Sequence, residues 1–285
     1  MSDDNPKHRP DLFVGLVCAA GTNLTDLKAQ MEAQLRRVHY DVKHIKVSSL
    51  ISEVLALKNF ENEYVRIKSL MQGGDLIRQE TAESDGVAAL IVAELRRLRG
   101  GDDELPSSTV YLIDSLKNPA EVELLDKIYG RNFYTVSVYL PKEDRTENLK
   151  NIIARSKHQP PDEDHEKLAI ELIDEDEKGK DKSDQDVRGT FPLADFFVNA
   201  KQDTEKQISR FVNLIFQEPF TTPTRDEYMM FLARATAMRS CDLSRQVGAV
   251  IASKEGWVVA TGCNEVPIPW GRLLRRGYAT IRRQS

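Results

Sequence analysis

The sequence predicts a mixed α/β protein whose first and larger domain has three layers, with a parallel sheet between two layers of helices. Short apolar runs alternate with amphipathic helical patterns over residues 11–217, which is the order of βα units in a parallel sheet. After a linker at 218–224, one helical pattern and one hairpin pattern predict a partial second domain over 225–271. Residues 1–10 are polar and are expected to fray, and residues 272–285 form an atypical basic tail.

Composition limits the kinds of partner that the chain can have. The 285 residues are 40% hydrophobic, which is enough for buried cores. The sequence contains neither an apolar run of about 18 residues nor a signal-peptide pattern, so no membrane association is expected. A net charge of -5 argues against direct nucleic-acid binding. Three cysteines without a pairing pattern fit a reducing, cytoplasmic location.

The first domain is predicted from strands and helices that follow one another regularly. Its five predicted strands are Leu12–Val17, Asp41–Val47, Val110–Ile113, Tyr134–Leu140 and Phe191–Val198. The predicted helices begin at Leu24 and Ser48, span 66–97 with a break near Gly73–Gly74, and span 119–128 and 201–216. Residues 160–188 are rich in acidic side chains, which predicts a solvated insertion.

The first strand, the turn containing Gly21 and the following helix form the framework of a P-loop. In a P-loop, backbone N–H groups and the helix N-terminus hold phosphate, so Gly21, Thr22 and Asn23 are predicted to bind a nucleotide. The standard pattern G-x-x-x-x-G-K-[ST] is absent, because Thr22 and Asn23 stand where its Lys and Ser would begin. The Lys that attracts the β- and γ-phosphates is therefore missing from its usual place. Alternatively, Thr22 or Asn23 caps the helix.

Three charged residues extend this hypothesis. Asp114 follows the apolar run of the third strand, where P-loop proteins place the carboxylate that holds Mg²⁺ through water. Its alternative role is that of an N-cap or turn residue before the next helix. Arg145 and Arg155 stand where nucleotide kinases carry lid arginines, with solvated surface charge as the alternative for each.

The second segment is predicted as a helix at Glu227–Arg239 followed by a hairpin with its turn at Lys254–Gly256. The hairpin leads into the segment GCNEVP. Zinc deaminases also need the motifs H-x-E and P-C-x-x-C, and neither occurs in this sequence. No catalytic residue or metal ligand is therefore assigned, and zinc is not expected to bind this chain.

Together with the hairpin, four segments carry a resemblance to a known family: RIKSLMQGGDLIRQET, VYLIDSLKNPAEVELLDKIYGRNFY, VRGTFPLADFFVN and TPTRDEYMMFLARATAMRS. In this order they resemble the bacterial anti-phage deoxycytidylate (dCTP/dCMP) deaminases, which join a P-loop nucleotide-kinase-like domain to a zinc-dependent deaminase domain. The resemblance implies a hydrolase that converts deoxycytidine nucleotides to deoxyuridine nucleotides and so depletes dCTP. It also implies that Asn264 contacts the sugar of the substrate, and that Gly21, Thr22 and Asp114 surround a regulatory nucleotide.

The chain departs from that family after Gly271, where the sequence RLLRRGYATIRRQS replaces the zinc motifs. A frameshift, a natural short isoform and a truncation all explain such an end. Three hypotheses follow: a deaminase whose catalytic half is missing here and which is inactive alone, a nucleotide-binding or kinase-like module, and a regulatory partner of an intact deaminase. Deoxycytidine nucleotides and a second copy of the chain are the expected partners.

Overall fold

The computed structural model describes residues 9–81, 84–100, 107–177, 179, 181 and 183–264, and the backbone of 266–268 and 272–274. It divides into two compact units, residues 1–216 and 217–285. The predicted fraying of the N-terminus falls mainly on residues 1–8, outside the described part. The predicted basic tail also lies outside it, apart from the backbone of 272–274.

The centre of the first unit is a sheet of five parallel strands. These are β1 (Leu12–Cys18), β2 (Asp41–Lys46), β3 (Thr109–Leu116), β4 (Phe133–Tyr139) and β5 (Phe196–Asn199), in the order β2-β3-β1-β4-β5. Every residue of the central strand β1 is buried, which explains its continuous apolar sequence. Gly15 in this strand allows close packing, since a Cβ there would lie 2.6 Å from Leu116 Cδ1.

Helices cover both faces of this sheet. They are α1 (Thr25–Arg37), α2 (Val47–Val54), α3 (Glu63–Gln79), α4 (Gly86–Leu98), α5 (Pro119–Tyr129), α6 (Lys142–Ser156), α7 (Glu163–Glu177), α8 (Val187–Thr190) and α9 (Thr204–Ile215). Helices α1 and α9 share one hydrophobic core with the strands, and α2, α4 and α5 share a second core with them. This arrangement confirms the predicted α/β class and its three layers.

Two predicted boundaries in the first unit are wrong. Helix α3 continues through Gly73–Gly74, and the break comes later, before Gly86. The glycines permit close packing: a Cβ on Gly73 would lie 2.8 Å from Leu55 Cδ1, just beyond helix α2. The fifth strand is shorter than predicted, because Phe191–Leu193 forms a 3-10 turn with a proline in its first positions.

The acidic segment is not the solvated insertion that its composition predicts. Its first half forms α7, in which Ala169, Leu172 and Ile173 are buried. These side chains form a third hydrophobic cluster with Leu149 and Ile153 of α6 and with residues of α3. The apolar residues fall on one face of the helix, so the surrounding acids do not prevent its burial.

In its described residues, the second unit has one helix and two small antiparallel sheets. Its elements are α10 (Arg225–Ala237), β6 (Gly248–Ala252), β7 (Val258–Cys263), β8 (Val266–Ile268) and β9 (Arg272–Leu274), with β6 paired to β7 and β8 to β9. The predicted helix and hairpin are both present. Gly256 supplies the positive φ of 95° in the hairpin turn. Helix α10 begins with a capping box between Thr224 and Glu227.

Among the residues that the structure describes, no helix combines the length and the apolar character needed to cross a membrane.

Candidate functional site

A cavity of about 710 Å³ lies in the first unit, beside the ends of β1 and β3. Ligands of open α/β sheets bind outside the carboxyl ends of the strands, and this volume is in the usual range for small-molecule sites. The turn between β1 and α1 forms one wall, and the starts of α2 and α3, with parts of α6 and α7, contribute others.

The four predicted nucleotide-binding residues of the first unit, Gly21, Thr22, Asn23 and Asp114, all line this cavity. Gly21 has a positive φ of 86°, and a Cβ there would lie 2.5 Å from the carbonyl oxygen of Arg145, so the position requires glycine. The buried Oγ1 of Thr22 has no hydrogen-bond partner among the described residues. Nucleotide binding by these residues remains a prediction.

Asn23 has a structural contact of its own at the start of α1. Its Oδ1 accepts a hydrogen bond from the backbone N–H of Thr25 at 2.9 Å. This bond satisfies one of the backbone donors that a helix start leaves unpaired. Leu24 occupies the N-cap position of α1 without a side-chain cap, so neither Thr22 nor Asn23 is the N-cap, and Asn23 also lines the cavity.

Asp114 is not the N-cap of α5. It lies inside β3, opposite Leu16 in the sheet, and Asn118 caps the helix in a capping box with Glu121. Asp114 Oδ2 accepts a hydrogen bond from Lys28 Nζ at 2.7 Å, and its buried Oδ1 has no hydrogen-bond partner in the described part of the chain. Oδ1 therefore has unused acceptor capacity, and Asp114 lines the cavity.

The cavity wall is positively charged. Three acidic residues line it, Glu63, Asp114 and Asp176, against six basic ones, a formal excess of three positive charges; the basic residues are Lys28, Lys46, Arg66, Arg78, Lys117 and Arg155. Of these six, Lys46 and Arg155 have no ion-pair partner within the described ranges. An excess of one sign of charge in a cleft raises the local concentration of ligands of opposite charge.

The two predicted lid arginines differ in their surroundings. Arg145 is only 7% exposed, donates to the carbonyl oxygen of Leu140 and forms an ion pair with Glu177 at 2.7 Å. The solvated interpretation is therefore wrong for Arg145. Arg155 lies on the cavity wall.

The sequence interpretation missed two side chains, Lys117 and Asp176, that bind the backbone of the β1–α1 turn. Lys117 Nζ donates to the carbonyl oxygen of Cys18 at 2.7 Å and forms an ion pair with Asp176 Oδ1 at 2.8 Å. Asp176 Oδ2 accepts from the backbone N–H of Ala20 at 2.6 Å, and its side chain is 0% exposed. Burial raises the pKa of the Cys18 thiol, so this cysteine does not supply a thiolate at neutral pH.

Asn264 lies in the second unit, and its side-chain amide makes three hydrogen bonds there. Its Oδ1 accepts from the backbone N–H of Val247 at 2.9 Å, while its Nδ2 donates to Asp242 Oδ2 and to the carbonyl oxygen of Arg245. These bonds hold the chain before β6, and contact with a nucleotide sugar remains a prediction. No group of three or more His, Cys, Asp or Glu side chains suited to a metal ion occurs among the described residues.

No protein-family model and no curated protein matches the chain. Among solved structures, it is similar to shikimate kinase from Aquifex aeolicus, with a TM-score of 0.42, 13% identity, and coverage of 74% of this chain and 100% of the other. It is also similar to a gluconokinase from Sinorhizobium meliloti, with a TM-score of 0.36, 14% identity, and coverage of 73% of this chain and 97% of the other. For an APS kinase from Mycobacterium tuberculosis the TM-score is 0.39 and the identity is 11%. The match covers 73% of this chain and 99% of the other.

Proposed function

We propose that the first unit binds a nucleotide, with its phosphates against the turn between β1 and α1. The observation that carries this proposal is the placement of Gly21, Thr22 and Asn23 on the wall of a cavity with excess positive charge. A turn that leads into a helix N-terminus presents backbone donors to an anion, and the dipole of the helix favours negative charge there.

The cavity has complementary polar and apolar parts. Lys46 adds positive charge to the cavity wall without an ion-pair partner in the described part of the chain, whereas Lys28 shares its charge with Asp114 at 2.7 Å. Leu70, Met71 and Ile152 give the wall apolar surface, which suits a base or another flat ring. This combination fits a nucleotide better than it fits inorganic phosphate alone.

Phosphoryl transfer is a second candidate, and the unpaired Oδ1 of Asp114 favours it. If magnesium binds with the nucleotide, Asp114 is the residue that would hold it through water, and the ion would neutralise phosphate charge. The role of the chain's own residues is to orient the phosphates between the turn, Lys28 and Lys46.

Deamination of deoxycytidine nucleotides is not assigned to this chain, because the sequence lacks the H-x-E and P-C-x-x-C motifs. The resemblance favours a deoxynucleotide as the ligand, and we extend the proposal to deoxycytidine nucleotides on that ground. A regulatory association with an intact deaminase, or with a second copy of the chain, stays a hypothesis.

Calorimetric titration of the intact protein with deoxynucleoside and ribonucleoside triphosphates tests nucleotide binding. The central comparison is Lys46→Gln against Lys43→Gln. Both residues belong to β2, but only Lys46 lines the cavity, and Lys43 contacts the carbonyl oxygen of Leu98 instead. A lost charge-assisted bond costs about 1.5–3 kcal/mol, so Lys46→Gln should raise Kd about tenfold or more.

The control Lys43→Gln should change Kd by less than about twofold. Gly21→Val should abolish binding, because the turn cannot keep its conformation with a Cβ at this position. Equal effects of the two Lys variants, or tight binding that survives Gly21→Val, would place the nucleotide elsewhere.

A further inference from the structure

The last turn of α7 places a carboxylate against the turn that is proposed to bind phosphate. Asp176 reaches the backbone N–H of Ala20 at 2.6 Å and the ammonium group of Lys117 at 2.8 Å. Ala20 is 156 residues away in sequence, and the carboxylate is completely buried beside the cavity. This contact is therefore a tertiary feature of the fold and not a local turn interaction.

A backbone N–H and a Lys ammonium are also the donors that bind phosphate oxygens. A carboxylate and a phosphate cannot both occupy them, since their like charges would meet at a distance of a few ångströms. In this structure one oxygen of Asp176 accepts from the N–H of Ala20 and the other forms the ion pair with Lys117, so the carboxylate uses two groups that an anionic ligand would need. The protein thus supplies its own anion to part of the candidate site.

The end of α7 depends on cations from other elements. Four acids in succession, residues 174–177, form the end of the helix, and its last turn contains no basic residue. Acids at a helix C-terminus are disfavoured by the helix dipole. Their partners lie elsewhere: Asp174 pairs with Lys142, Asp176 with Lys117, and Glu177 with Arg145.

Competition for Lys117 would therefore release Asp176. If a ligand phosphate takes the ammonium group, the carboxylate loses its only ion-pair partner among the described residues. A buried carboxylate without its cation is strongly disfavoured, so it would leave the turn and move toward water.

We propose that Asp176 is an internal competitor of phosphate, and that binding of a polyphosphate chain at the β1–α1 turn is coupled to release of the end of α7. This inference rests on the proposed function. It adds a regulatory contact, because the position of α7 then sets how many donors of the turn a ligand can reach.

The test compares Asp176→Asn with Asp174→Asn in the intact protein, titrated with inorganic tripolyphosphate at low salt. Both variants remove one negative charge from the same turn of α7, but Asp174 is exposed, and among the described residues its ion-pair partner is Lys142. Asp176→Asn should bind tripolyphosphate about tenfold more tightly than the wild type, because the amide competes poorly for Lys117. Asp174→Asn should change Kd by less than about twofold.

Hydrogen exchange provides a second measurement that does not require a variant. Tripolyphosphate should increase exchange of the backbone amides at the end of α7, residues 172–177, in the wild-type protein. If Asp176→Asn fails to fold, this measurement decides alone, and unchanged exchange at saturating ligand overturns the inference.

Two results separate failure of this inference from failure of the proposed function. If the wild type binds tripolyphosphate and Asp176→Asn binds equally or more weakly, Asp176 only positions the turn, and nucleotide binding stands. If neither protein binds tripolyphosphate or nucleoside triphosphate at millimolar concentration, both proposals are wrong.

Discussion

Asp75 on α3 is a carboxyl group whose titration is shifted by the fold. Burial raises the pKa of Asp75 to about 6, although the guanidinium of Arg78, 3.0 Å away, acts in the opposite direction. Because the pKa is higher in the folded than in the unfolded protein, the folded state holds this proton more tightly. The contribution of Asp75 to the free energy of unfolding is therefore highest below about pH 4, falls as pH rises to about 6, and is then constant.

We predict that Asp75→Asn becomes more stable relative to the wild type as pH rises from about 4 to about 7, because the amide cannot ionise. Urea denaturation of both proteins across this pH range measures the difference in free energy of unfolding. Glu80→Gln, at the exposed end of the same helix, is the control. The same pH dependence in both variants would show that Asp75 is not its source.

At the scale of single residues, the sequence pointed to four residues that the structure places on the wall of one cavity. Gly21, Thr22, Asn23 and Asp114 were predicted because each stands at a recognisable point of a strand, turn or helix pattern, and the structure brings them to one cavity. Asp176 could not be found this way. Its partner Ala20 is distant in sequence, and an acid-rich stretch has no local pattern that distinguishes one buried acid from its solvated neighbours.

The start of α4 packs tightly on α3. Gly86, the first residue of α4, lies so close to α3 that an added Cβ would be 2.3 Å from the carbonyl oxygen of Ile77. A backbone atom cannot move aside as a side-chain end can. The close contact between these two helices therefore depends on glycine at this position.

We predict that Gly86→Ala lowers the free energy of unfolding of the first unit by about 1–3 kcal/mol, the usual cost of overpacking. The effect opposes helix propensity, which favours Ala over Gly by about 1 kcal/mol. Chemical denaturation monitored by circular dichroism measures the change. Gly262→Ala in β7 of the second unit is a control without a packing clash, because an added Cβ there meets no described atom within 4 Å; a stabilised Gly86→Ala protein would refute the prediction.

Among the helices, those with clear end signals were predicted best. The predicted start of α5 at Pro119 is the observed one, but its capping box is formed by Asn118 and Glu121, which the sequence interpretation did not use. The continuation of α3 through Gly73–Gly74 was missed, since paired glycines usually weaken a helix. Only the tertiary contact with α2 explains why glycines are used there.

The two units of the molecule differ in how well their sheets are covered. In the first, helices pack on both faces of five strands. In the second, β6 and β7 form a two-stranded sheet on which Ile251, Trp257 and Val259 are more than half exposed. Helix α10 contacts both strands, but the exposed apolar side chains show that this cover is incomplete, and a two-stranded hairpin alone is only marginally stable in water.

We predict that backbone amides of Val14–Val17 in β1 exchange slowly, whereas those of Ala249–Ile251 in β6 exchange rapidly in dilute protein. Hydrogen exchange with mass spectrometry measures both segments in one experiment. Comparable strong protection in a dilute monomer would contradict this expectation. Protection of β6 that appears only at high protein concentration would indicate strand-mediated self-association.

The buried face of α7 limits how far this chain can be shortened. An acid-rich stretch is often chosen for deletion when a smaller protein is wanted for crystallisation or expression, because it is expected to be solvated. Removing residues 160–188 would expose Leu149 and Ile153 of α6 and leave the N–H of Ala20 and the ammonium of Lys117 without the carboxylate that joins them. A minimal version of the first unit therefore has to retain this segment, because both a hydrophobic cluster and the shape of the β1–α1 turn depend on it.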